Sequence, residues 1–239
     1  MYKRVLLKLS GEALKDEHAM QILNVNCVEQ IALMMKELHD KGVQIAVVIG
    51  AGNIWRGKLA EEIGIERVPA DFMGMMGTVI NAVALSSALK KIGVASVVFS
   101  ALPAIEGVTV EYSPELAIEA MEHERIVFLA GGTGKPFFTT DTAATLRALE
   151  TKCEAIFMGK NGVKGLYDKD PTVHKDAKFI PEITYQEIID KKLQIMDLSA
   201  VELIKDQDIE IRIFSMSDPQ NFIKVAMGEN IGTVCKKGE

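Results

Sequence analysis

Short runs of unbroken apolar sequence, each closed by a glycine turn, recur along this chain and limit its fold most sharply. Val5-Leu6-Leu7-Lys8-Leu9 ends in Ser10-Gly11-Glu12, and Ile45-Ala46-Val47-Val48-Ile49 ends in Gly50-Ala51-Gly52-Asn53. Ile126-Val127-Phe128-Leu129-Ala130 runs into Gly131-Gly132-Thr133-Gly134, and Glu154-Ala155-Ile156-Phe157-Met158 into Gly159-Lys160-Asn161-Gly162. Strands this apolar have no face for water, so both faces must be covered. Helical patterns lie between them. The pattern predicts an α/β fold with a mostly parallel central sheet sandwiched between helices, in three α/β/α layers. In such sheets ligands bind beyond the carboxyl ends of the strands, where all four turns lie.

The intervening segments carry helix signals. Asn24 or Asn26 caps a helix with Val28, Ile31, Ala32, Met35 and Leu38 on one face and Gly42 past its end. Met73 to Lys91 reads as a long Met-rich helix ending before Gly93, and Ser113-Pro114 caps another after the strand Ala95–Phe99. The last third is less regular. Tyr167 to Phe179 reads as a polar loop, Thr184-x-x-Glu187 as a capping box, and Asp197 as a further cap. A strand over Glu210–Phe214, a helix from Asp218-Pro219 to Gly228, and a terminal edge strand at Gly232–Cys235 complete the pattern. No repeat or flexible linker interrupts it, which predicts a single domain over 1–239.

Composition narrows the function. A net charge of −6 argues against a nucleic-acid partner that needs a broad basic face, though local cations suffice for small anions. Met1-Tyr2-Lys3-Arg4 leads directly into a strand, unlike a signal peptide, and no apolar run in the sequence is read as crossing a membrane. Cys27, Cys153 and Cys235 are odd in number and widely spaced, which points to a reducing cytoplasm and away from a metal cluster. None of the histidines has ligand spacing.

The segment from Gly131 to Asp141 carries the strongest chemical signal. Glycines let backbone N–H groups approach an anion, and the following helix N-terminus adds favourable partial charge. Thr139 or Thr140 supplies a hydroxyl donor and a helix cap. The same residues also suit a plain strand–helix connection. The sequence has no GxxxxGK[ST] run, so a Walker-type phosphate loop finds no support.

Several stretches, taken in order, resemble the bacterial uridylate kinases of the amino-acid-kinase fold. They are Lys8–Leu14, Gly50–Gly57, Asp71–Met75, Gly132–Asp141 and Gly165-Leu166-Tyr167-Asp168-x-Asp170-Pro171, followed by Met196-Asp197. The resemblance runs from Lys3 to about Gly232. It implies transfer of the ATP γ-phosphoryl group to UMP, with Mg²⁺ carried on the nucleotide. Lys8, Arg56 and Asp141 take the catalytic positions. Lys8, Leu9, Ser10, Gly11, Gly52, Arg56, Asn161, Tyr167 and Asp170 match the ATP pattern. Ala51, Asp71, Thr133, Gly134, Lys135, Pro136, Phe137, Phe138, Thr139 and Thr140 match the UMP pattern. The acceptor part covers roughly 1–150 and the ATP part roughly 151–239.

The family also implies a homohexamer, inhibition by UTP and activation by GTP. Departures bear on the last point. Asp16-Glu17-His18-Ala19-Met20-Gln21 replaces a normally glycine-rich segment tied to GTP, which implies a weak response. Ala51 replaces a usual Gly, Lys135 a usual Asn or Ser, and Lys164 a common Asp. Two other readings share the scaffold: a kinase acting on a carboxylate or carbamate, and a non-catalytic nucleotide- or oxyanion-binding protein.

Overall fold

A computed structural model describes residues 1–16, 21–160, 162–193 and 195–238. In chain order these form β1 (Arg4–Leu9), α1 (Val25–Asp40), β2 (Gln44–Ile49), α2 (Gly57–Ile63), α3 (Arg67–Lys91), β3 (Ser96–Ser100), β4 (Val110–Glu111), α4 (Pro114–Glu122), β5 (Ile126–Ala130) and α5 (Thr140–Glu150). Then follow β6 (Ala155–Lys160), β7 (Leu166–Tyr167), β8 (Phe179–Ile180), β9 (Glu182–Thr184), α6 (Tyr185–Asp190), α7 (Leu198–Ile204), β10 (Glu210–Ser215), α8 (Gln220–Ala226) and β11 (Thr233–Lys236). A 3-10 turn at Gly11–Leu14 follows β1.

Among the described residues the main sheet has nine strands in the order β4-β3-β5-β2-β1-β6-β10-β11-β9, and only the β10–β11 pairing in it is antiparallel. Alternation along β1 shows how both faces are used. Val5, Leu7 and Leu9 point into the core shared with α1, α3 and α8, whereas Leu6 points into the core beneath α4, α5, α6 and α7. Lys8 follows the parity of Leu6, so its side chain emerges on the α5 side at the strand's carboxyl end. β1 pairs with β2 on one side and β6 on the other, so Lys8 lies level with Val48 and Met158. The strand order reverses here, where open parallel sheets place their ligands.

Several boundaries depart from the sequence reading. The long helix begins at Arg67 rather than Met73, because Pro69 falls in its first turn, where no N–H donor is needed. Among the described residues it is the one helix long and apolar enough to cross a bilayer by length and composition, contrary to the reading that none is. It packs instead against α1, β3 and β5, with Asn81 fully buried. Tyr167 belongs to the β7–β8 hairpin, not to a loop. β11 is not an edge strand, since β9 pairs along its outer side through Val234 and Glu182. Asn24 makes the first helix cap, accepting from the N–H groups of Asn26 and Cys27. The capping box at Thr184 and Glu187 and the Asp197 cap form as read.

Candidate active site

The turns after β1 and β2 interlock. A Cβ placed on Gly11 would lie 2.5 Å from the Gly50 carbonyl oxygen and closer still to the Asn53 side chain, so only glycine allows the approach. Asn53 and Asn81 hold the β2 turn from behind. Each donates an amide N–H to the other's Oδ1, and their remaining bonds go to the carbonyls of Ile22 and Gly50 at 2.7 and 2.8 Å. Ala51 does not take positive φ, so its methyl introduces no backbone strain. The methyl fits because α3 has Gly77 opposite, where a Cβ would come within 2.8 Å of it.

Beyond the carboxyl end of β1, Lys8 Nζ meets Asp141 Oδ1 at 2.7 Å. Thr139 caps α5 by accepting from the N–H groups of Asp141 and Thr142, which sets Asp141 in the first turn facing the strand ends. Asp197 braces this cap from α7. It accepts from the Thr139 hydroxyl and, at 3.0 Å, from the Thr142 hydroxyl, while its other oxygen takes the Ala200 N–H at 2.8 Å. Burial pushes the Asp197 carboxyl up, but the bonds from Thr139, Ala200, Thr142 and Ser199 outweigh it and hold the group below the usual range.

Lys160, at the end of β6, is a second cation at this centre, beside Lys8. Burial and the nearby Lys8 charge lower its pKa, with Asp141 opposing them. Its amine donates to the Ile195 carbonyl at 3.2 Å. The sequence reading passed over Lys160 and gave Asp197 only a capping role. A lysine directly before an Asn-Gly turn at a strand's carboxyl end is the signal that was present for the first.

Two crevices open from this centre. One, of about 440 Å³, is lined by Ala51, Gly52, Trp55, Arg67, Asp71, Thr133, Lys135, Phe138, Thr139 and Thr140, among others. Asp71 accepts from Arg67 Nε at 2.8 and 2.9 Å and from the Phe137 N–H at 2.7 Å, tying the turn after β5 to α3. Gly134, Pro136 and Phe137 do not line this crevice. Phe137 takes φ +73° and turns its ring outward near the Arg67 guanidinium. Trp55 lines it too, but its indole N–H is held by the Ala70 carbonyl at 2.9 Å.

The second crevice, of about 490 Å³, is lined by Lys160, Tyr167, Asp168, Asp170, Lys191 and Lys192 with neighbouring apolar side chains. Asp170 accepts from the Thr172 N–H and hydroxyl at 2.8 and 2.6 Å with one oxygen. Asn161 lies outside the described residues, as do 17–20. Lys8, Leu9, Ser10, Gly11 and Arg56 line neither crevice. Leu9 is buried core, so only its backbone is available. Arg56 forms an ion pair with Glu12 and donates to the Gly52 carbonyl at 3.2 Å, which lays it across the β2 turn. Burial tends to raise the Glu12 carboxyl, but Lys15 and Arg56 bring it below its ordinary value.

A mostly parallel sheet with glycine turns, two lysines and the start of α5 gathered beyond its strand ends has the make-up of a protein that holds phosphate groups. The chain belongs to the amino acid kinase family, whose model matches residues 3–215. It is 52% identical over 225 residues to a uridylate kinase of Mycoplasma capricolum subsp. capricolum, an alignment covering 94% of each chain. The solved structure of a UMP kinase from Bacillus anthracis superposes with TM-score 0.95 at 36% identity, over 100% of this chain and 97% of that one. The UMP kinase from Ureaplasma parvum gives 0.93 at 34% identity, over 99% and 100%. Within the family the chain belongs to the uridylate kinases.

Proposed function

We propose that the protein transfers the γ-phosphoryl group of ATP to UMP, giving ADP and UDP. The observation that carries this reading is the Lys8–Asp141 pair set between two crevices. Thr139 and Thr140, next to Asp141, line the first crevice, and Lys160, beside Lys8, lines the second. UMP takes the first, with its phosphate toward the Thr139–Thr140 helix start and the turn of Thr133, Gly134, Lys135, Pro136, Phe137 and Phe138. Its ribose hydroxyls donate to Asp71, whose carboxylate keeps acceptor capacity beyond Arg67 and Phe137. ATP takes the second, with adenine toward Tyr167 and ribose toward Asp170 and Asn161. Its phosphates lie over Lys8, Leu9, Ser10, Gly11 and Gly52. The acceptor part is thus roughly 1–150 and the donor part roughly 151–239.

The nucleophile is already a phosphate oxygen, so no strong general base is required. Catalysis rests on positioning and on charge placed where it develops. Lys8 faces the transferring group, Asp141 orients Lys8, and Arg56 reaches phosphate with its planar fork. No group of three or more His, Cys, Asp or Glu side chains converges among the described residues. Asp141, one fifth exposed beside Lys8, suits a Mg²⁺ ion that arrives on the triphosphate and needs few protein ligands. That ion would neutralise phosphate charge, with Asp141 the residue to hold it.

Assembly into a homohexamer is supported by an apolar groove of about 650 Å³ on the outer face of α3, lined by Phe72, Met76, Ile80 and Ile105. UTP inhibits through the UMP crevice, GTP activates weakly or not at all, and three unpaired thiols suit the cytoplasm. A coupled ADP-release assay with UMP, CMP, acetylglutamate or no acceptor tests the reading. Release that depends on UMP supports it; release with acetylglutamate, or with none, refutes it.

A further inference from the structure

The turn after β5 that carries Thr133 is poorly held by its own backbone. Gly131, Gly132 and Gly134 all take positive φ, at +78°, +59° and +75°. One backbone bond, from the Gly134 N–H to the Gly131 carbonyl at 3.0 Å, closes the turn. Such a segment gains little from regular structure and loses much chain entropy on ordering. Side chains from both flanking helices therefore hold it. On the α3 side, the Thr78 hydroxyl accepts from the Gly131 N–H at 2.8 Å while donating to the Met75 carbonyl. On the α5 side, the Arg147 guanidinium donates to the Gly132 carbonyl at 3.0 Å.

Arg147 is a buried cation, with 5% of its side chain exposed. It donates to Glu150 Oε2 at 2.6 Å, and its guanidinium lies 3.9 Å from the centroid of the Tyr112 ring. The Tyr112 hydroxyl donates to the same Glu150 oxygen at 2.6 Å. Burial, reinforced by that bond, pushes the Tyr112 hydroxyl up, so it remains a donor. Ring, carboxylate and carbonyl thus fix the guanidinium plane on three sides, a geometry an ammonium cannot reproduce. For stability alone, a buried ion pair is a weak device compared with apolar packing. Here one branch of the fork ends on the carbonyl of the turn that lines the first crevice.

We infer that Arg147, seated on Tyr112 and Glu150, is a positioning residue for the acceptor turn, setting the presentation of Thr133 and the following N–H groups. The inference rests on the proposed placement of UMP in the first crevice. No donor-side element touches this cluster through the bonds above, so its loss acts on one substrate. A hydrogen bond from a charged donor carries about tenfold to hundredfold in an equilibrium constant.

The test measures kcat and KM for each substrate at saturating concentration of the other, with Tm, for the wild type and for Arg147→Met, Arg147→Lys and Tyr112→Phe. Arg147→Met is expected to raise KM for UMP by about tenfold or more, with KM for ATP within about twofold. Arg147→Lys keeps the charge but loses the fork and falls between, and Tyr112→Phe shifts KM for UMP in the same direction by less. Equal increases in both KM values, or a fall in Tm with KM for UMP unchanged, overturn the inference. If Arg147→Met does not accumulate as folded protein, the other two variants decide by the same split. Wild-type turnover with UMP separately tests the proposed function.

Discussion

Replacing Lys8 by Ala and Asp141 by Asn, singly and together, probes the centre of the site. The two groups meet at 2.7 Å with about one fifth of each side chain exposed, at 18% and 21%. At an effective dielectric near 20 the bare attraction is about 6 kcal/mol, and desolvation removes much of it. A net value of about 1.5–3 kcal/mol is reasonable for a charge-assisted contact. With Lys8 in its proposed role, placed where charge develops in transfer, Lys8→Ala should lower kcat by about a hundredfold to a thousandfold, as loss of a preorganised donor does. Asp141→Asn frees the ammonium from its set position and should cost about tenfold to a hundredfold. If Asp141 works by orienting Lys8, the double variant should be no slower than Lys8→Ala alone. Independent action would multiply the losses to about a thousandfold or more. The assay is single-turnover UDP formation at saturating nucleotides, with Tm recorded to verify folding. A multiplicative double variant would refute the orienting role, and near-wild-type turnover in either single variant would remove that residue from the mechanism.

Asp71→Asn should abolish a wild-type preference for UMP over dUMP; equal kcat/KM for the two in the wild type would remove the ribose assignment. It should also loosen the turn, because the Arg67 and Phe137 contacts share that carboxylate. Activity should vanish in EDTA and return with Mg²⁺ or Mn²⁺, and a tightly held transition metal found by elemental analysis would contradict nucleotide-borne Mg²⁺. Asp197 titrates below its unfolded value near 3.9, so its stabilising contribution is complete above that pH and is lost as pH falls through the lower folded value. The acid decline of Tm between about pH 5 and pH 2 should therefore be shallower in Asp197→Asn, and an unchanged slope would remove Asp197 from acid stability. Light scattering should report a hexamer, with UTP inhibitory and GTP weak; several-fold activation by GTP would show that residues 16 to 21 do not govern that response.

The strands and their turns were legible because period and punctuation are local properties. Val5 to Leu9 reads as buried on both faces from its residues alone, and glycine after such a run marks a turn whatever surrounds it. The helix caps at Asn24, Ser113, Thr184 and Asp197 were legible for the same reason, since a cap bonds to N–H groups two or three residues on. Short elements were not. β4, β7, β8 and β9 have two or three residues each, and their pairing supplies what so little sequence cannot. The edge was misread at β11 because being interior depends on β9, about 50 residues earlier in the chain.

The site divides in the same way. Sequence determined which groups could bind phosphate: the glycine turns, Lys8, and the threonine-rich start of α5. Tertiary structure decided which of them meet. Lys8 and Asp141 are 133 positions apart and share a contact only because β1 lies beside the helix that follows β5. Lys160 gains its depressed pKa from burial beside Lys8, and Asp197 becomes a brace for α5 only where α7 packs on it. Arg147 reads locally as an ordinary charge near a helix end. Its guanidinium reaches the Gly132 carbonyl and the Tyr112 ring only in the folded chain, because a side chain's surroundings are set by packing between distant segments.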